Sequence, residues 1–284
     1  MFERLERSFE LVKASATILR QDKELALFPL ISGASLVAVM LAFALPAFGL
    51  ASLDSVQMYN EAGKSSPLWY VFGFFFYLAN YTVIFYFNTA LVGAAMIRMD
   101  GGNPTLRDGL RIASSKIGTI FAYALISATV GMILRIIQER VGFIGKIIVA
   151  ILGVGWTIAT FMVVPVLVTR KVGPIDAIKE SATLFKDTWG ENVIGQAGIG
   201  LAFGLIMMAM AVVSIGLVIM AAATKSVVLI ALVVIVCVLA FAFAALVKQA
   251  LEGIYAAALY RWASNEAETP GFPGETLRLA FAPK

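Results

Sequence analysis

The chain contains no histidine and a single cysteine, Cys237. Without histidine it lacks the commonest metal ligand and the usual general base near neutral pH. One cysteine excludes an intrachain disulfide. Charge is scarce too: 14% of the 284 residues are Asp, Glu, Lys or Arg, against roughly 25% in soluble domains. The aspartates stand at 22, 54, 100, 108, 176 and 187, all at or outside the ends of uncharged runs. Intramembrane proteolysis by a Ser–His pair, by two aspartates within spans or by a histidine-bound metal therefore lacks its parts. The sequence has no carboxylate cluster suited to a divalent ion and no G-x-x-x-x-G-K-S/T loop to cradle a phosphate. These absences predict a protein that is not an enzyme and holds no metal and no cofactor.

What is present is apolar. Hydrophobic residues make up 60% of the chain, and the mean hydropathy is +0.89. They gather in uncharged runs over 25–53, 65–97, 117–134, 147–169, 193–224 and 226–247. About 20 apolar residues cross a bilayer as a helix, so six spans are expected, near 25–50, 68–97, 117–137, 143–169, 193–223 and 226–263. Phe2 to Glu24 is charged throughout and has no small-residue cleavage site, so the first span is expected to remain as an anchor. Lys and Arg total 17 in segments 1–25, 98–116, 170–192 and 248–284, and 5 in the alternate connections. That bias places both termini in the cytoplasm and the protein in the cytoplasmic membrane. Residues 135–146, with Arg135, Arg140 and Lys146, run against it. The basic pI near 9.2 follows from the cytoplasmic loops, and no nucleic-acid partner is expected.

An amphipathic segment from Gly173 to Asn192 lies between the fourth and fifth runs. Ile175, Ile178, Ala182, Phe185 and Trp189 fall at spacings of three and four, one stripe along a helix. Subtracting 173 brings them onto Phe2, Leu5, Phe9, Val12 and Ala16, while Ser181, Leu184 and Lys186 fall on Ser8, Leu11 and Lys13. A shorter stripe, Leu106, Leu110, Ala113 and Ile117, follows the turn Gly101-Gly102-Asn103-Pro104. The expected fold is all-α: a polytopic membrane protein of six transmembrane helices with cytoplasmic interfacial helices. On this reading an interfacial helix plus a hairpin recurs as a threefold repeat, with units at about 1–98, 103–169 and 174–263. These form one membrane domain over 1–264, with a cytoplasmic tail over 265–284. Same-orientation repeats imply a pseudo-symmetry axis along the membrane normal.

Three runs carry a resemblance. Phe87-Asn88-Thr89-Ala90-Leu91-Val92 before Gly101-Gly102-Asn103-Pro104, Val163 to Val168, and Thr188-Trp189-Gly190-Glu191 resemble an uncharacterised prokaryotic family of six-span membrane proteins. Leu259-Tyr260 after Ile254-Tyr255 is similar, more distantly, to Yip-type trafficking proteins and to the membrane region of some glycerophosphodiester phosphodiesterases. The resemblance implies six helices and a cytoplasmic N-terminus, and implies no activity.

Candidate site residues are polar groups at membrane depth. Tyr77, Tyr81 and Asn88 share one face of the second span, a placement suited to lining a polar path, to coordinating a headgroup or to hydrogen bonding between helices. Lys248, Gln249 and Glu252 sit at the inner end of the last span, with Lys248 and Glu252 spaced to pair. Phe9, Phe185, Trp189 and Glu191 are expected to anchor the interfacial helices, with Gly190 permitting the turn into the fifth span. Pro165 frees the carbonyl of Phe161, and Gly200 and Gly204 offer a small-residue packing face. The expected function is a non-catalytic scaffold or accessory subunit, with membrane lipids and other membrane protein subunits as partners. The alternative is a carrier or channel for a lipid or small hydrophobic solute.

Overall fold

The computed structural model describes residues 13, 15–52, 67–187 and 189–264. Among them there is no strand. Phe9, most of the first interfacial stripe, the tail and the side chains of Trp189 and Glu191 lie outside the described residues. Residues 15–21 are helical (α1) and lead through a 3-10 turn, Lys23–Ala26, into α2, Leu27–Ser52. Then follow α3 (Pro67–Met99), α4 (Leu106–Ser115), α5 (Ile117–Arg140), α6 (Phe143–Thr160) and α7 (Val163–Thr169). The chain continues as α8 (Pro174–Asp187), α9 (Trp189–Ala223) and α10 (Val227–Ala263). Six helical segments are long and apolar enough to cross a membrane, with α6 and α7 together forming the fourth. This is a polytopic all-α membrane protein.

Local chemistry sets the boundaries. Gly101, at φ +83, ends α3: its N–H bonds to Arg98 O, and Gly102 N–H bonds to Ile97 O, both at 3.0 Å. That pair of bonds is a Schellman motif, which favours glycine at the left-handed position. Thr105 caps α4 in a reciprocal box with Asp108. Glu24, from the segment before α2, also reaches across to accept the Leu106 N–H at 2.6 Å. Its negative charge suits the positive end of α4. The hydrogen bonds from the Thr105 hydroxyl and backbone, with Arg111 and Arg107 nearby, hold the Asp108 carboxyl below its ordinary range.

The fourth span breaks at Phe161–Met162. The Pro165 ring cannot share space with the carbonyl four residues before it, and Phe161 is that residue. Phe161 N–H therefore bonds to Ile158 O in a tighter turn, and Met162 N–H is left over. The Ser181 hydroxyl of α8 accepts it at 2.9 Å, with both groups buried.

Helix α3 is the hub, packing against α2, α4, α5, α7 and α10. Burial is concentrated at one end of the molecule. Thr89 to Met96, Met99, Met162, Val163, Val166, Leu167, and Leu251 with Ile254 to Tyr260 are buried there, beside Leu25, Phe28 and Ala113. At the other end, Phe143 is 80% exposed and Val227 79%, and α9 and α10 show mostly apolar surface. The rise of the helices explains the division. From Trp69 to Ala90, Phe203 to Ala223 and Val227 to Lys248 it is about 30 Å in each case, at 1.5 Å per residue. A hydrocarbon core is also about 30 Å thick. Beyond that level the same helices enter a packed body, with α4, α7 and α8 arranged around the ends of α3 and α10.

Three expectations are corrected here. On α8 the deeply buried residues are Ala177 and Ser181, with Leu184 half-buried, rather than the Ile175, Ile178, Ala182, Phe185 stripe. Ile175 is 59% exposed, while Ile178, Ala182 and Phe185 are half-buried. The side carrying Ala177 and Ser181 is docked on α6 and α7, because small residues permit a close approach that isoleucine does not. Gly190 lies within α9 rather than in a turn before it. Gly200 and Gly204 also differ: a Cβ at either would meet nothing within 4 Å. Close packing occurs instead at Gly109, where a Cβ would press on the Phe28 ring and lie 2.7 Å from Ala90 O.

Candidate functional site

The polar groups within the spans fall into two sets on α3. Tyr77, Tyr81 and Phe85 stack along one face, with ring centroids 6.2 and 5.6 Å apart, and Phe85 continues onto Tyr123 of α5 at 4.3 Å. The Tyr77 hydroxyl accepts from Arg135 Nη1 at 3.1 Å, while Arg135 Nε donates to Glu139 Oε1 at 3.0 Å. Arg135, from the connection that runs against the charge bias, is thereby committed to partners in its own chain.

Asn88 lies three residues past Phe85 and turns toward α10. Its Oδ1 accepts from Gln249 Nε2 at 3.3 Å. The stripe Tyr77, Tyr81, Asn88 is thus real in its spacing, yet it serves two neighbours: α5 with the tyrosines and α10 with the amide. Lys248 and Glu252, on the adjoining face of α10, form an ion pair at 3.2 Å. Their side chains are 38% and 43% exposed. The structure brings Asn88 and Gln249 together and sets the ion pair beside them, and Tyr77 pairs elsewhere.

A second polar layer lies beyond the membrane level. The Tyr260 hydroxyl, fully buried, accepts from Thr169 Oγ1 at 2.8 Å and from Arg170 Nε at 3.3 Å. Arg170 Nε also faces Glu180 Oε1 at 2.8 Å, which ties α7 to α8. Lys116 Nζ donates to the Arg170 carbonyl at 2.9 Å, and Arg261 pairs with Asp100 at 2.6 Å. Tyr86 and Ser114 hydroxyls, 2.8 Å apart, join α3 to α4. This layer was not anticipated from sequence, since its members are scattered from position 86 to 261. The Thr105–Asp108 box was missed as well, although T-x-x-D before an apolar stripe is a signal that could have found it.

These groups bind helices to one another, and their arrangement offers no nucleophile beside a base. Among the described residues no group of three His, Cys, Asp or Glu could hold a metal. The model described as "Family of unknown function (DUF6159)" matches residues 68–271. The chain belongs to this family. The DUF6159 match runs from the start of α3 past the end of α10, so it takes in the Asn88–Gln249 bond, the ion pair and the second polar layer. No curated protein and no solved structure matches the chain. Within the DUF6159 segment, the runs Thr89 to Val92 and Val163 to Leu167 are built into the buried body apart from the half-buried Val164. Leu259 and Tyr260 are buried there too. Their chemistry is that of a core.

Proposed function

We propose that this protein is a non-catalytic scaffold or accessory subunit of the cytoplasmic membrane, with both termini in the cytoplasm. One observation carries the reading: its packed body lies at the α4/α8 end, past about 30 Å of α3, α9 and α10, while the spans themselves show apolar surface to their surroundings. A protein whose packed mass sits under the bilayer presents a firm surface to partners at the inner leaflet. The polar groups within the spans support the same view. Asn88 is bonded to Gln249 and Tyr77 to Arg135, so each is used for helix association. On this reading α4 and α8, each followed in the chain by a span, are docked at the rim of the inner leaflet. The recurrence of a short helix followed in the chain by a long apolar one, at α1–α2, α4–α5 and α8–α9, supports the threefold unit.

The deciding experiment is mild solubilisation of native membranes, capture of the tagged full-length chain and identification of co-purifying proteins. A stoichiometric membrane partner is expected. Recovery of the chain alone, together with movement of labelled lipid in reconstituted vesicles, would replace this reading with a lipid carrier.

A further inference from the structure

Lys248 and Glu252 are costly residues where they stand. The helix rises about 32 Å from Val227 to Lys248, which brings the ion pair to the edge of the hydrocarbon at the α4/α8 end. Both side chains are half-exposed, so they face the surroundings of the protein rather than its core. Their order along the helix, Lys before Glu, is the less favourable one for helix stability. The pair is therefore poorly explained as a support for α10 itself.

The same face of α10 continues outward as an apolar track. Val234, Val238 and Ala245 are exposed and Phe241 is half-buried, at spacings of three and four that keep them in line with Lys248 and Glu252. From Val234 to Lys248 the track rises about 21 Å, close to the reach of one acyl chain. Beyond Lys248, Glu252 lies about 6 Å farther toward the water. Beside the pair, the Asn88–Gln249 amides stand half-buried at the seam with α3.

A phospholipid lying along this face meets groups in matching order. Its acyl chain covers the track, its phosphate lies at the depth of Lys248, and whatever the phosphate carries reaches Glu252. We infer that α10 holds one zwitterionic phospholipid with a primary ammonium headgroup, its phosphate on Lys248 and its ammonium on Glu252. A glycerol headgroup gives Glu252 no cation, and its lipid carries a net negative charge that the carboxylate repels. A choline headgroup is cationic but has no N–H to donate to the carboxylate. The ammonium headgroup alone satisfies both side chains. The inference goes beyond the scaffold reading and stands apart from it, since a carrier could bind the same lipid.

The test uses the full-length protein in nanodiscs of equal parts phosphatidylethanolamine, phosphatidylglycerol and phosphatidylcholine. Lipids retained after mild delipidation are counted by native mass spectrometry. One phosphatidylethanolamine per chain is expected to be retained preferentially. In the double variant Lys248→Glu/Glu252→Lys the ion pair and total charge persist but their order along the helix is inverted. Its preference for phosphatidylethanolamine should fall about tenfold while its thermal midpoint stays close to that of the parent. An unchanged preference in the swapped protein, or equal retention of all three lipids by the parent, overturns the assignment. Should the swapped protein fail to insert, Glu252→Gln decides alone. Its phosphatidylethanolamine preference should give way to phosphatidylglycerol, and a preference kept intact rejects the site.

Discussion

Ser181 shows how one hydroxyl can hold a broken helix together. It accepts the Met162 N–H that the Pro165 ring has displaced from the helical ladder, with both residues buried. Ser181→Ala should therefore cost about 1–3 kcal/mol, the range for stranding a buried donor, measured by reversible unfolding in detergent. A loss well below that range would mean Met162 finds another acceptor. Gly109 works in the opposite way, by having no side chain: Gly109→Ala should cost about 1–3 kcal/mol by overpacking against Phe28 and Ala90 O. The control is Gly118→Ala, where a Cβ meets nothing within 4 Å. Asn88 and Gln249 should couple by about 0.6 kcal/mol in a double-mutant cycle, the average for interhelical bonds in membranes. Asp108 carries a pH signature. Its folded pKa is depressed, so the α4 cap contributes fully above the unfolded value near 3.9 and is lost as pH falls through the folded one. Thr105→Val should move the Asp108 titration upward, read by carbon NMR of labelled aspartate, and an unmoved midpoint would assign the depression to the arginines instead. Of these residues, Asn88, Gln249 and Pro165 stood out in the sequence, and Ser181 only as a match to Ser8 in the repeat. The close approach at Gly109 and the bond made by Ser181 did not, because what matters about them is the neighbour they face.

Helix α8 explains why the sequence showed the element and missed its orientation. It has three faces: Ala177, Ser181 and Leu184 toward the bundle, Ile175, Ile178, Ala182 and Phe185 toward its flank, and Asp176, Lys179, Thr183 and Lys186 outward. Hydrophobic periodicity detects the contrast between apolar and polar faces. It cannot separate a protein-facing side from a lipid-facing one, because both are apolar, and the side that packs closest is the one with small residues. The stripe that looked strongest therefore lies roughly 100° around the helix from the buried one. Spin labels distinguish the faces. In liposomes a nitroxide at Ile175→Cys should relax faster with lipid-soluble oxygen, and one at Thr183→Cys with a water-soluble nickel chelate. Equal access of the chelate to both sites would show α8 standing clear of the bilayer, and the interfacial reading would be lost. The same physics applies to α4, where a single buried side leaves no ambiguity: Gly109 and Ala113 are buried, with Leu106 and Leu110 packed beside them. There the expected stripe and the observed one agree, apart from Ile117, which begins α5 and is exposed.

At the scale of the whole molecule, the six runs were legible because nothing else in a sequence looks like about 20 uncharged apolar residues. Where membrane ends and protein core begins was not legible. The uncharged run over 65–97 continues through Ala90 to Met96 without a break, since burial in protein asks for the same residues as burial in lipid. Only helix rise, read against where burial concentrates, separates the two, and it brings the ends of α4 and α8 to one level. If that level is the inner leaflet, residues on either side of the bilayer must label from opposite sides. Ser181 is unsuitable as a probe, being buried and hydrogen-bonded. Lys179 is the better position, because its side chain is 73% exposed on α8. With Cys237 replaced by serine, a cysteine at Ser65 should react with a membrane-impermeant maleimide in intact cells, and one at Lys179 only after the cells are opened. Labelling of Lys179→Cys in intact cells would turn the molecule over and put its packed body outside. The scaffold proposed for the cytoplasmic face would then have to be sought among partners on the other.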